Sequence, residues 1–204
     1  HAVDGCGNVS ASVSQTITVV DTTPPTITAP GADATIQCPD IPVFTDPMVS
    51  DTCGGAALVP EGVAVTTFDC TLAGHIKATH RKTWHAVDGC GNVSASVSQT
   101  ITVVDTVPPA LSLPSDVTLQ CDLPRDPWAT GNATATDGCD LAPVVTYDDD
   151  RAGLTACNAT GVILRTWTAT DACGNARSQV QRITIIDTIS PVITCPPPIT
   201  VSTD

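Results

Sequence analysis

From Ser94 to Val104 the chain alternates. Ala95, Val97, Gln99, Ile101 and Val103 occupy one parity, and Ser94, Ser96, Ser98, Thr100, Thr102 and Val104 the other. A period of two predicts a strand with one buried face. Upstream, Ile76, Ala78, Trp84 and Ala86 share a parity within 76–87 and predict a second strand. Between the two lies Asp88-Gly89-Cys90-Gly91-Asn92, whose Gly and Asn residues accept positive φ, so it predicts a hairpin turn. Asp171-Ala172-Cys173-Gly174-Asn175 predicts the same turn further on. Shorter β-like runs are ATIQC (34–38), VAVTTF (63–68), VTLQC (117–121) and PVVTY (143–147). No segment carries a helical period. Short strands punctuated by turn signals predict an all-β chain of tandem immunoglobulin-like sandwiches.

The pattern recurs because the sequence recurs. Residues 1–22 and 85–106 are identical, at an offset of 84, and a diverged copy runs from Trp167 to Thr188. Each copy ends at a Pro-bearing junction: DTTPP (21–25), DTVPP (105–109) and DTISP (187–191). After each comes a short apolar run: TIT (26–28), LSL (111–113) and VIT (192–194). Cutting at the junctions gives two complete repeats, 23–106 and 107–188. Residues 1–22 then read as the last strand or strands of a preceding repeat, and 189–204 as the first strand of a following one. Such ends are expected to be completed by a neighbour or by more of the same chain. Trp84 and Trp167 are equivalent and are expected to anchor the two cores.

Ten cysteines with no CxxC pair point to structural disulfides in an oxidising, extracellular or cell-surface setting. Aromatics make up 3% of the chain, so the cores are thin and need staples. Each complete repeat holds four: Cys38, Cys53, Cys70 and Cys90, then Cys121, Cys139, Cys157 and Cys173. Cys53 and Cys90 lie in turns at one end of the predicted sandwich, and Cys38 and Cys70 at the other. Pairing within a repeat then gives Cys53–Cys90 and Cys38–Cys70, followed by Cys139–Cys173 and Cys121–Cys157. Cys6 is expected to find its partner outside this sequence, and Cys195 has no counterpart in the complete repeats.

A net charge of −13 argues against nucleic acid as a partner. It is compatible with divalent cations. Asp88 and Asp171 open the hairpin turns, Asp51 and Asp137 precede loop cysteines, and Asp21, Asp105 and Asp187 sit at the junctions. Calcium takes six to eight oxygens, and Asp88, Asp105, Asp171 and Asp187 are the candidate ligands for a site bridging repeats. Four sequons mark candidate glycosylation sites at Asn8, Asn92, Asn132 and Asn158. His1 and His85 share a repeat position that holds Thr168 in the next copy, so no histidine metal site is expected. No nucleophile–base pattern, phosphate loop or long apolar run is present, and neither catalysis nor membrane insertion is expected from this segment.

The string TWHAVDGCGNVSASVSQTITVVDT, followed by PP and D-x-T-hydrophobic-Q-C, resembles hyalin-repeat (HYR)-like domains of the four-cysteine variety. The resemblance covers nearly the whole chain. It implies an immunoglobulin-like fold and a role in adhesion or extracellular scaffolding, without catalysis. The leading expectation is a stiff rod or fibre whose partners are neighbouring repeats or identical subunits. Strand complementation between neighbours is its most concrete form. Two other readings are a loop-borne site for carbohydrate or protein, with Trp128 and Phe44 as candidate contacts, and a module appended to a secreted enzyme.

Overall fold

The computed structural model describes residues 1–70, 74–155 and 159–201. In the first repeat the strands are β1 (Thr26–Ile27), β2 (Ala34–Gln37), β3 (Val49–Ser50), β4 (Ala56–Thr67), β5 (Ile76–Asp88) and β6 (Val97–Val104). In the second they are β7 (Ala110–Ser112), β8 (Val117–Gln120), β9 (Thr134–Thr136), β10 (Val144–Gly153), β11 (Gly161–Thr170) and β12 (Ala176–Ile186). Both repeats use one plan. A two-stranded sheet, β1-β3 or β7-β9, accompanies a four-stranded one, ordered β2-β6-β5-β4 or β8-β12-β11-β10. The first strand of the larger sheet joins the last one in parallel, with Val117 opposite Ile183 and Gln120 opposite Ile186. The long hairpin is antiparallel, pairing Gly161 with Ile185 and Thr170 with Ala176.

Among the described residues the fold is all-β but for one turn of helix, α1 (Pro127–Thr130). Four residues are too few to display a helical period. Pro127 stands where its missing N–H costs nothing. The Asp126 carbonyl accepts from the Ala129 and Thr130 amides at 2.9 and 3.1 Å.

The chain forms two compact units whose limits differ from those of the repeats. The first comprises His1–Thr35, Pro42–Thr66 and Thr79–Thr102; the second comprises Ile36–Ile41, Thr67–Ala78 and Val103–Asp204. In the first unit Trp84 is fully buried, its indole N–H donating to Asp46 Oδ1 at 2.9 Å. Phe44 meets it edge-on at 6.3 Å. Buried Gln99 accepts from the Thr45 amide at 3.0 Å and donates to the Ala32 carbonyl at 2.8 Å. Both strand predictions hold, since Gln99, Ile101 and Val103 are buried in alternation along β6, and Trp84 and Ala86 along β5.

In the second unit Ile163, Ile183 and Ile185 form the core, with Val117, Leu119, Cys121 and Leu154 against it. Arg165 is buried, and a buried guanidinium must have its donors met. It pairs bidentately with Asp149 at 2.6 and 2.9 Å, and donates to Thr130 Oγ1 and the Arg125 carbonyl, each at 2.7 Å.

The disulfides correct the sequence reading. Cys38 bonds Cys139 and Cys70 bonds Cys173, with Cα atoms 5.7 and 4.7 Å apart, inside the usual range for a bridge. Both bridges join one repeat to the next and lie within the second unit. The expected pairs Cys38–Cys70, Cys53–Cys90 and Cys139–Cys173 are not formed, and Cys53, Cys90 and Cys121 are thiols. Cys157 lies outside the described residues. The cause is visible in the neighbouring contacts. Lys77 Nζ donates to the Cys139 carbonyl at 2.8 Å, and His75 Nδ1 lies 2.9 Å from the Cys173 carbonyl. The start of β5 is thus held against both cysteine turns of the next repeat.

Candidate functional site

The chemistry gathers where one repeat ends on the next, and the aspartate turns build it. Asp88 Oδ1 accepts from the amides of Cys90 and Asn92 at 2.9 and 2.8 Å, and Oδ2 accepts from Asn92 Nδ2 at 2.7 Å. Gly91 sits at φ 90°, which a side chain would resist. Asp171 repeats the arrangement with Asn175, at 2.8 Å to both its amide and its side-chain nitrogen. Asp88 and its turn partner Asn92 then reach the junction. Asn92 Nδ2 donates to the Asp21 carbonyl at 3.2 Å, and Asn175 Nδ2 to the Asp105 carbonyl at 2.9 Å. One contact is therefore used twice, at equivalent positions, once in each unit.

Carboxylates converge at both places. In the first unit, ligand atoms of Asp21, Asp51 and Asp88 all lie within 4.8 Å of one another. In the second, Asp105, Asp137 and Cys139 do so. Cys139 is disulfide-bonded, which leaves the two carboxylates as the usable donors. Asp105 is wholly buried, and its Oδ2 has no hydrogen-bond partner; Asp21 Oδ2 is in the same state. Burial pushes the Asp105 carboxyl above the usual carboxylate range, and the charges of Asp171 and Asp137 push it the same way. A buried oxygen without a donor, facing other carboxylates, is an arrangement a cation would relieve.

The sequence offers four candidate calcium ligands, Asp88, Asp105, Asp171 and Asp187. Asp88 joins Asp21 and Asp51; Asp105 joins Asp137, with Asp171 near enough to act on it electrostatically. Asp187 enters no such group among the described residues; its Oδ1 accepts from the Ile189 amide at 3.1 Å. Asp51 and Asp137 are full members of the groups, and their signal in the sequence is the shared Asp-x-Cys spacing. Each also caps its own loop, accepting from the amides of Cys53 and Cys139 at 2.8 and 2.7 Å.

Among the sequons, Asn8 and Asn132 are exposed, and Asn92 has its side-chain amide occupied by Asp88 and Asp21. Asn158 lies outside the described residues. Trp128 is 72% exposed, whereas Phe44 packs on Trp84. Among the described residues no helix is long and apolar enough to cross a membrane.

No family model matches the chain. It is 32% identical over 205 residues to hyalin of Strongylocentrotus purpuratus, across 95% of this chain and 16% of that protein. It is 28% identical over 215 residues to hyalin of Lytechinus variegatus, across 94% of this chain and 37% of that protein. The chain thus spans well under half the length of either relative. Among solved structures, Drosophila N-cadherin EC1-3 aligns over 81% of this chain and 68% of that one, at 14% identity and a TM-score of 0.32. Human mucin-like protocadherin EC1-2 aligns over 80% and 98%, at 12% identity and a TM-score of 0.30. The repeats are similar in sequence to hyalin, and with its disulfides the chain is an extracellular or surface protein.

Proposed function

We propose that the chain is a non-catalytic structural segment of an extracellular array, in which one junction design recurs to give a stiff, extended rod or filament. The observation that supports this most is the doubled contact of Asn92 with Asp21 and of Asn175 with Asp105. A contact that recurs at equivalent repeat positions can propagate along an array. Residues 11–22 supply a second element of the reading. They carry the sequence of β6 but form no strand, and their apolar side chains are exposed. Such a segment can add to the sheet of a neighbour. Electron microscopy of the native material tests the array, with X-ray scattering on chains of two, four and six repeats. A radius of gyration growing in proportion to repeat number supports a rod. Growth as roughly the 0.6 power, as for a flexible chain, refutes it.

The carboxylate groups extend the proposal. A divalent cation, calcium by its preference for oxygen, would be held by Asp21, Asp51 and Asp88 at one place, and by Asp105, Asp137 and Asp171 at the other. Calcium is expected to raise the melting temperature, and Asp105→Asn to reduce the gain. Because burial holds the Asp105 carboxyl above the usual range, protons compete for it, and calcium affinity should fall as the pH is lowered into that raised range. A melting temperature indifferent to both calcium and chelator would remove the cation from the proposal and leave the array standing.

One observation favours a second reading. Trp128 stands exposed on α1, and an exposed indole is a common platform for sugar or peptide. Binding to a glycan or protein array that disappears in Trp128→Ala would support an adhesive module.

A further inference from the structure

The two disulfides, laid onto the repeat, account for thiols that remain. Cys53 and Cys139 both stand two residues after a loop aspartate, and Cys90 and Cys173 two residues after a turn aspartate. Cys38 and Cys121 both close a T-hydrophobic-Q-C run. In the second unit the Cys139 and Cys173 positions are bonded to Cys38 and Cys70. The equivalent Cys53 and Cys90 are exposed thiols, and Cys121, the equivalent of Cys38, is a half-buried one. We propose that these thiols are half-junctions. Cys53 and Cys90 take disulfides from the Cys38-type and Cys70-type cysteines of a preceding repeat, and Cys121 takes one from the Cys139-type cysteine of a following repeat. The array is then a covalent ladder with two bridges at every junction. This rests on the array reading above.

Three observations carry the inference. The cysteine turns match: Asp51 and Asp137 each bind the amide of their cysteine, at 2.8 and 2.7 Å, and the Asp88 and Asp171 turns share their contacts with Asn92 and Asn175. The incoming linker is seated alike, through the carbonyls of Asp21 and Asp105. Finally, the linker brings a cysteine with it. The Cys38 amide donates to the Val104 carbonyl at 2.9 Å, one residue before Asp105. Val20 holds the same place before Asp21 in an identical sequence. A Cys38-type residue paired with Val20 would arrive beside the Asp21 linker, as Cys38 arrives beside Asp105 and meets Cys139.

The chemistry is thiol–disulfide exchange with a disulfide oxidant, either a small-molecule disulfide or an oxidoreductase. The Cys90 thiolate attacks one oxidant sulfur, forming a mixed disulfide and releasing one thiol. The neighbouring repeat's thiolate then attacks Cys90 Sγ, forming the bridge and releasing the second thiol. Two cysteine thiols are oxidised, one oxidant disulfide is reduced, and the two protons pass to the released thiols.

The test is a disulfide map of the native material, alkylated without reduction and cut on the N-terminal side of aspartate. That cleavage puts each cysteine on its own peptide: 33–39 for Cys38, 51–68 for Cys53, 69–87 for Cys70, 88–104 for Cys90, 116–121 for Cys121, 137–139 for Cys139, 150–170 for Cys157, 171–186 for Cys173 and 187–203 for Cys195; the Cys6 peptide, 4–20, is identical in sequence to 88–104 and reports the same type of cysteine. The expected result joins 33–39 to 137–139 and 69–87 to 171–186. It also joins 51–68, 88–104 and 116–121 to cysteine peptides of other repeats. A 51–68 to 88–104 link, or alkylated thiols on both, overturns the ladder. Electron microscopy of the same sample separates the two proposals. An extended array with in-repeat bridges sinks only the ladder, whereas compact particles sink the array. Gel mobility with and without reductant shows whether the neighbouring repeat belongs to the same chain or to a second copy.

Discussion

Residues 13–20 and residues 97–104 are the same eight amino acids, VSQTITVV, in two conditions. The second copy is β6, with Gln99 4%, Ile101 2% and Val103 7% exposed. The first forms no strand, and Ile17 is 78% and Val19 85% exposed. The turns before them do not differ in this way. Asp4 binds the Cys6 and Asn8 amides at 2.9 Å each, as Asp88 binds those of Cys90 and Asn92. Single bridges close both turns, Val3 with Val9 and Val87 with Val93. The turn is written in its own residues, because its partners lie within four positions. The strand is only permitted by its residues. Its ladder and its buried face come from β2 and β5 on either side.

The sharpest way to break this contrast is one charge placed in both copies. Ile101→Asp buries a carboxylate in a packed core and should cost about 4–5 kcal/mol, enough to unfold the first repeat. Ile17→Asp changes an exposed position and should move stability by under about 0.5 kcal/mol. Urea unfolding of the two variants reads the difference. If residues 11–22 complete a neighbour's sheet, Ile17→Asp should also abolish assembly while the isolated chain melts as before. Equal destabilisation by the two substitutions would mean that the first copy is already a packed strand.

A smaller change asks what the buried amide contributes. Gln99 is bonded on both sides, to Thr45 and Ala32, and Gln181 repeats this in the second unit, donating to the carbonyls of Ser115 and Thr130 at 3.0 and 2.9 Å. Gln99→Ala removes both hydrogen bonds and empties a buried position, and should cost about 1–3 kcal/mol. Gln15→Ala should cost nothing measurable, since Gln15 is exposed. A Gln15 variant as damaged as the Gln99 one would show that the two copies are equivalent in solution.

The same distinction explains how far the sequence could be read. The alternation at 97–104, the parity of Trp84 and Ala86, and the Asp-Gly-Cys-Gly-Asn turn are local, and each became the element it predicted. The alternation could not say that residues 13–20 lack a strand, since both copies carry it. The disulfides failed for a related reason. The strand pattern predicts Cys38 and Cys70 at one end of the repeat and Cys53 and Cys90 at the other, but nothing local decides whether an end closes on itself or on the next repeat. Carboxylate groups spanning a junction are hidden likewise: Asp21 is 30 residues from Asp51 and 67 from Asp88. The shared Asp-x-Cys spacing is the local trace of these groups, and Asp105, buried beside Asp137, is the part of the group that this spacing does not contain.

The smallest predicted effect tests whether the turn is as self-sufficient as its contacts imply. Hydrogen bonds from Asn8 hold the Asp4 carboxyl below the usual range, and bonds from Asn92 do the same for Asp88. A carboxyl depressed in the folded state stabilises the fold above its unfolded value of about 3.9. That contribution is lost as pH falls through the lower folded value. Both turns should therefore hold at neutral pH and loosen only in acid below that value, although one precedes a strand and the other does not. Carboxyl carbon shifts followed by NMR should give both aspartates midpoints below that of a free one. An Asp4 midpoint at the ordinary value, with Asp88 depressed, would show that the turn too depends on the sheet behind it.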